Sequence, residues 1–336
     1  MVNIMVNVKF GLEFLPSIPT SDTIALSKYA DELGYDVIWV TDHYNNRNVY
    51  VTLTAIALNT KRVALGPSVT NPYVVNPIWT ASAIASIDEV SNGRAILGIG
   101  AGDKATLEKM NIEWKSPLKA VRESVEVIRR LLKGEVVQFD GEIIKSRGAA
   151  LSYKPPHEIP IYIGAQGPKM LALASTIGDG ILINASNPKD YDYAMNIIRK
   201  AAGDRVGKID VVACTSFSID RDINVAQKNV RIVVAFIVAG ASEEVLKSHN
   251  IDLEKAKIIG DYISKGRFKD ASAAVTNEMI DEFSITGTPE KCVEKISELL
   301  KRGVTQIVFG SPIGKDKKAA LEMIASEVIP HFKQVK

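Results

Sequence analysis

The sequence is poor in the residues that staple or metallate small proteins. It has two cysteines, Cys214 and Cys292, and four histidines, His43, His157, His249 and His331. Neither cysteine belongs to a CxxC pair, and the histidines show no HxH or HExxH spacing. A disulfide framework and a ligand-spaced zinc site are both excluded. Free, buried thiols in a reducing compartment are the expectation. Charge of one sign is also missing: 41 basic residues stand against 39 acidic ones, a net charge of +2. That balance argues against a broad electrostatic surface for nucleic acid. The longest basic cluster, Lys315, Lys317 and Lys318, is interrupted by Asp316 and reads as a solvated helix face. No apolar run approaches the roughly 18 residues of a membrane helix. Met1 to Lys9 lacks a basic stretch followed by an apolar core, so no secretory signal is read there and a cytoplasmic location is expected. What is present, 46% hydrophobic and 24% charged residues in a chain of 336, is ordinary for a globular protein with a sizeable core.

Short apolar runs alternate with helix-period stretches along the chain. The runs are Val8–Phe14, Val37–Thr41, Val63–Leu65, Ala95–Ile99, Pro160–Gly164, Gly180–Asn184, Val211–Ile219 and Gln306–Gly310. Helices are expected over Ser21–Leu33, capped by Ser21 or Asp22 and stopped by Gly34, over Ile78–Val90, and over Ala120–Lys133. Eight strands alternating with helices imply a parallel sheet covered by helices. The length favours closure into a (β/α)8 TIM barrel over an open doubly wound sheet. The first strand ends in Phe14-Leu15-Pro16-Ser17, without the glycines of a dinucleotide fold. We therefore expect one barrel domain over 1–336 with insertions at about 134–158 and 226–281. The first insertion carries a hairpin signal at Asp140-Gly141. Helices are expected to fill the second.

In a barrel the chemistry sits where strands end. Glu13 is a carboxylate inside an apolar run. Burial would raise its pKa and suit it to general acid work, while an ion pair with an unseen Lys or Arg would silence it. Asp42-His43 ends the second run, and the pair can bind, move protons or serve structure. Ser68-Val69-Thr70-Asn71 follows the third run. Gly100 and Gly102 allow close backbone approach to a ring or phosphate. Asp103 either faces the site or caps a helix that includes Thr106, and both can hold together. Gly164-Ala165-Gln166-Gly167-Pro168-Lys169 joins a strand to a helix whose free amides could hold a phosphate, or it is a plain tight turn. Asn184 ends the sixth run.

Taken in order, several segments resemble the luciferase-like flavin and deazaflavin oxidoreductases, and within them the methylenetetrahydromethanopterin reductases. They are Phe10-Gly11-Leu12-Glu13-Phe14, Thr41-Asp42-His43-Tyr44-Asn45-Asn46 and Leu65 to Tyr73. Further matches are Ser91-Asn92-Gly93-Arg94, Leu97-Gly98-Ile99-Gly100, Gly102 to Thr106, Gly164 to Pro168, Ile183 to Pro188, Val304-Thr305-Gln306 and Gly310 to Gly314. The resemblance covers essentially the whole chain. It implies a luciferase-like (β/α)8 barrel that binds coenzyme F420 without covalent attachment. The implied reaction reduces a methylene group on tetrahydromethanopterin to a methyl group, reversibly, in methane formation from carbon dioxide. It further implies Glu13 as proton donor and Asp103 as a second acid over the site. Asp42, His43, Thr70 and Asn71 are implied at the ring, and Gln166, Gly167, Pro168 and Lys169 around the phosphate and tail. Ser68, Val69, Gly100, Thr106, Gly164 and Asn184 are expected among the remaining cofactor-binding residues. The family's non-proline cis peptide falls here on Ser68–Val69, where other members commonly carry glycine. Dimers or tetramers of identical chains, no metal, no nucleic acid and no membrane complete the expectation. The competing readings are another F420- or FMN-dependent member of the same superfamily, a flavin-binding barrel without catalysis, and a metal-dependent hydrolase.

Overall fold

The computed structural model describes residues 8–333. In chain order the elements are β1 (Lys9–Phe14), α1 (Thr20–Leu33), β2 (Val37–Val40), α2 (Val49–Asn59), β3 (Ala64–Pro67), α3 (Pro77–Ser91), β4 (Leu97–Ile99), α4 (Lys104–Lys109) and α5 (Pro117–Leu132). The hairpin β5 (Val137–Asp140) and β6 (Lys145–Ala149) follows, then β7 (Ile161–Gly164), α6 (Pro168–Ile177), β8 (Gly180–Asn184), α7 (Pro188–Ala202) and β9 (Asp210–Ile219). Next come α8 (Ile223–Gly240), α9 (Glu243–Ser248), α10 (Leu253–Ser264), α11 (Phe268–Ala274) and α12 (Asn277–Phe283). The chain closes with β10 (Ile285–Gly287), α13 (Pro289–Lys301), β11 (Gln306–Ile313) and α14 (Lys317–Met323).

The chain divides into two compact units. One holds Gly11–Asn184 with Tyr193–Val212. In it β1, β2 and β3 pair in parallel, as do β4, β7 and β8. Parallel bridges Leu65↔Ala95 and Thr70↔Ile99 join β3 to β4. Strands therefore lie side by side in the order they occur in the chain, the product of repeated right-handed strand, helix, strand connections. Their near-continuous apolar sequences follow from burial on both faces: Val37, Ile38, Trp39 and Val40 of β2 are all 2% exposed or less. Trp39 and Tyr162 meet with ring centroids 5.6 Å apart, so β2 and β7 face one interior.

The other unit holds the described residues through Phe10, Ala185–Asp192 and those from Ala213 on. Its β10 pairs in parallel with β9, an addition that the sequence reading missed because the run has three residues. Phe309 of β11 stacks on Phe10 and meets Phe217 of β9 edge-on at 4.7 Å. The segment from α8 to α12 builds its own apolar cluster around Val230, Val234, Ile259, Met279 and Ile280. Helix α8 qualifies the expectation about membrane-length runs. Among the described residues it is long and apolar enough to span a bilayer by length and composition, with mean hydropathy 1.3 over 18 residues. Lys228 and Arg231 interrupt it, and one face is spent on the apolar cluster.

Local signals explain most boundaries. Gly34 adopts φ 91° after α1 and Asn92 φ 56° after α3, the left-handed stops expected of Gly and Asn. The N-cap of α1 is a correction: Pro19 stands there with no side-chain cap, because the helix starts one residue before Ser21. The hairpin hangs on one carboxylate, since Glu123 of α5 accepts from the backbone N–H of Glu142, Ile143 and Ile144.

Asp31, 6% exposed, similarly accepts from the N–H groups of Lys61, Arg62 and Val63 and so ties the end of α1 to the start of β3. Burial pushes its pKa up, but these three donors and the Arg62 guanidinium outweigh it and hold the carboxyl below its usual 3.8. Asp31→Ala should cost about 2–3 kcal/mol in urea unfolding, the scale of a charged hydrogen-bond acceptor removed from buried donors. A depressed folded-state pKa stabilises above the unfolded value. The wild-type advantage over the variant should therefore vanish as pH falls below 3.8 through the folded pKa.

Candidate active site

The expected site residues all fall in the unit formed by Gly11–Asn184 and Tyr193–Val212, on the loops after β1, β2, β3, β4, β7 and β8 or in the last turn of those strands. Register fixes the direction of Glu13. It stands opposite Trp39, and Trp39 opposite Gly66. Residues level in adjacent parallel strands point the same way, and Trp39 points to the interior shared with Tyr162. Glu13 therefore enters that interior one step from the end of β1.

Its carboxyl is buried among the strand ends. Protein surrounds it on almost every side, yet the residue keeps partial contact with solvent. Burial raises its pKa from 4.5 to about 7, and a hydrogen bond with the Ser68 side chain only partly opposes that. Among the described ion pairs none reaches Glu13, which removes the silencing cation the sequence left open.

The end of β3 shapes the surroundings. Six residues run from Leu65 through Thr70 while five run from Ala95 through Ile99 between the same two bridges, so the chain leaving β3 carries one extra residue. This is a bulge, and the Ser68–Val69 peptide inside it is cis, as the resemblance implied. The bulge drives Val69 across its neighbours. A Cβ on Gly100 would come within 2.7 Å of Val69 Cγ2, and one on Gly164 within 3.2 Å. Glycine at 100 is thus a steric requirement of Val69, and a side chain at 164 would fit only if Val69 gave way by a few tenths of an ångström. Past the bulge, Asn71 Oδ1 accepts from the N–H of Tyr73 and Val74 and holds the loop.

Beside the bulge lies a group of buried oxygens. Burial raises the pKa of Asp42, with the Thr70 hydroxyl and the charge of His43 acting against it. Burial raises Tyr50 as well, again opposed by Thr70. Yet Thr70 Oγ1, Tyr50 Oη and Thr41 Oγ1 each lack a well-formed hydrogen bond. The Tyr50 and Thr70 hydroxyls are close enough to sense each other without forming a well-made bond, and Thr41 Oγ1 is a further buried oxygen. Buried unsatisfied hydroxyls are rare enough to call for a ligand or a water. Tyr50 is the residue that the sequence reading missed. Its signal is a tyrosine at the start of α2, a helix without a single charge. His43 is exposed at the rim.

Asp103 does cap α4, accepting from the N–H of Thr106 at 2.7 Å, and it is exposed. On the other side Gly167 begins α6 with no side-chain cap and Pro168 at its first turn, leaving amides free for an anion. Gln166 and Lys169 stand exposed there, and Gln166 Nε2 donates to the carbonyl of Asn184 at 3.2 Å. Two other hollows lie away from these strand ends. One of about 500 Å³ is lined by Arg129, Asp179 and Arg205, and one of about 650 Å³ by Thr60, Arg62 and Arg94. Three of their arginines are spent on backbone carbonyls, Arg129 on Ile177, Arg205 on Ser175 and Gly178, and Arg94 on Ala57, Thr60 and Val63. They are braces of the scaffold.

Comparison with known proteins adds a second line. A family model described as luciferase-like monooxygenase matches residues 4–306. The 5,10-methylenetetrahydromethanopterin reductase of Archaeoglobus fulgidus is 50% identical over 333 residues, covering 97% of this chain and all of that protein. The protein of the same name from Methanolobus tindarius is 49% identical, covering 95% and 99%. The solved structure of coenzyme F420 dependent tetrahydromethanopterin reductase from Methanopyrus kandleri matches with a TM-score of 0.93 at 44% identity, covering 97% of this chain and all of that one.

The steric link between Val69 and its glycines is directly testable. Gly100→Ala should destabilise the fold by about 1–3 kcal/mol through overpacking. The double variant Gly100→Ala with Val69→Ala should recover part of the loss. Equal unfolding midpoints for wild type and Gly100→Ala would show that Val69 does not press on this position.

Proposed function

This chain belongs to the luciferase-like monooxygenase family and has its (β/α)8 barrel fold, and on that premise we propose that it transfers a hydride between coenzyme F420 and the bridging carbon of 5,10-methylenetetrahydromethanopterin. The reading rests on relatives of that name at 46–50% identity that this chain matches over their whole length. The observation in this molecule that carries it is a carboxyl able to hold a proton at neutral pH, set inside the strand ends without a counter-ion.

The residues present fit a flat ring with polar edges. The unpaired hydroxyls of Thr41, Tyr50 and Thr70 supply edge contacts. The glycines at 100 and 164 keep side chains from filling the space on Val69. Asp42, His43, Ser68, Val69, Thr70, Asn71 and Gly100 would hold the ring. Thr106, Gly164, Gln166, Gly167, Pro168, Lys169 and Asn184 would hold the phosphate and tail, with the free first-turn amides of α6 as the anion site. When bound, reduced F420 supplies the hydride, and the protein aligns and shields the reacting groups.

Glu13 handles the proton. With a pKa of about 7 it is protonated in a substantial fraction of molecules at neutrality. It gives its proton to N10, the nitrogen outside the pterin ring, as the bond from N10 to the bridging carbon breaks and an iminium to N5 remains. The carbon left behind is electron-poor and accepts the hydride, giving the methyl product. The Ser68 side chain then stabilises the Glu13 carboxylate. In the reverse direction the same carboxylate takes the proton back. Asp103, exposed above α4, is the second acid over the mouth. The reading includes a cytoplasmic location and an assembly of identical chains; the two cysteines, free and buried, suit a reducing compartment.

Glu13→Gln should retain F420 binding, followed by fluorescence titration, and lose about 10²–10⁴-fold in turnover. Reduction needs the acid form, so wild-type kcat/KM in that direction should fall as pH rises through about 7. The oxidative direction should rise over the same interval. Mixing the protein with reduced F420 and methylene-tetrahydromethanopterin should restore the visible band of oxidised F420. Binding of FMN in preference to F420, or no recovery of the band, would overturn the assignment.

A further inference from the structure

We propose that His249 is a positioning residue, a standing imidazolium that ties the helical segment α8–α12 to the loop after β8 and so sets where that loop stands. His249 follows α9 and is 3% exposed. Its Nδ1 lies 2.8 Å from Glu282 Oε2 of α12, and its Nε2 lies 3.0 Å from Asp190 Oδ1 of α7. A neutral imidazole has one N–H and one lone pair. With a carboxylate on each side, a neutral ring would aim its lone pair at an anion. Only the doubly protonated ring donates to both, and such charge-assisted bonds are the strong class. The Phe283 ring, 5.0 Å away, covers one face.

The tie passes through Glu282. The oxygen that accepts from His249 also accepts from Asn187 Nδ2 at 2.8 Å and lies 3.4 Å from Lys189 Nζ. Asn187, 7% exposed, uses its other side-chain atom to cap α7, accepting from the Lys189 N–H at 2.9 Å. One residue earlier, Ser186 Oγ accepts from the Ser216 N–H of β9 at 3.1 Å. The loop that follows Asn184 is therefore pinned twice within two residues.

The charges balance only with the proton in place. Asp190 and Glu282 are offset by His249 and the exposed Lys189, and no other charged group is hydrogen-bonded to the ring. Loss of the proton leaves two carboxylates against one solvated cation. The hydrogen bond with Asp190, opposed by burial but joined by that with Glu282, raises the pKa above its usual 6.5. A raised folded-state pKa stabilises fully below the unfolded value. That contribution is lost as pH rises through the folded one. The cluster plays no part in the hydride chemistry above. Its effect on cofactor binding rests on that functional reading, through Asn184 three residues upstream of Asn187.

Two measurements on the full-length protein test this. Ring ¹⁵N NMR should show both His249 nitrogens protonated well above about pH 6.5; one neutral tautomer there overturns the proposal. F420 titrations then compare wild type, His249→Gln and Asn187→Asp. The last keeps the α7 cap but sets an anion against Glu282 without altering the imidazole. All three retain Glu13, so differences between them do not come from its titration. Wild-type Kd should rise several-fold as pH passes the His249 pKa. Both variants should bind several-fold more weakly at low pH, and His249→Gln should lose that rise. Identical Kd values and pH profiles in all three folded proteins would sink the idea. Should His249→Gln not fold, Asn187→Asp and the wild-type NMR decide. Failure of wild type to bind F420 at any pH counts against the functional reading instead, and the imidazole and Asn187 amide signals still judge the cluster.

Discussion

The contact of Val69 with the backbone at Gly100 and Gly164 is the constraint from which the rest of the site follows. One extra residue in the chain leaving β3 pushes that side chain over two neighbouring strands. The same displacement leaves Ser68 on the side of Glu13 and Thr70 on the side of Asp42 and Tyr50. A regular strand would alternate its side chains between interior and helices and could not present both flanking hydroxyls around a central apolar ridge. The site is thus a consequence of a ladder irregularity, held by regular pairing before it and by the Thr70 bridge after it.

The protein treats buried charge in two opposite ways. At the strand ends it leaves an acid without a counter-ion, so burial governs and the carboxyl takes up a proton near neutrality. Around His249 it surrounds a base with acids until the charges cancel, and the group becomes a strut. Uncompensated burial suits a group that must change protonation during turnover. Compensated burial suits one whose protonation should stay fixed while the site works. Neither histidines nor carboxylates are intrinsically functional or structural; their neighbours decide.

Much of this was legible in the residues. The strand runs were visible because strands buried on both faces read as continuous apolar segments, and Gly180–Asn184 matches its strand to the residue. Glu13 stood out as a lone acid in such a run. The structure added what depends on partners distant in sequence. Strand Gln306–Ile313 runs three residues past the apolar run Gln306–Gly310, through Ser311 and Pro312, which hydrophobicity does not mark as strand. Strand β10 is too short to carry a period. Tyr50 looked like one more apolar residue in α2 until its hydroxyl proved buried and unpaired. His249 gave no spacing signal at all, since its two partners lie 59 and 33 residues away.

The β5–β6 hairpin is a separate two-stranded sheet inserted in the chain ahead of β7, and Glu123 gathers its turn through three backbone amides. Backbone amides are present whatever side chains the turn carries. The mooring therefore asks little of the hairpin's own side chains beyond Gly141, where a Cβ would come within 2.5 Å of Glu123 Oε2. A short tag inserted in the hairpin away from Gly141 and Glu142–Ile144 should leave that mooring in place.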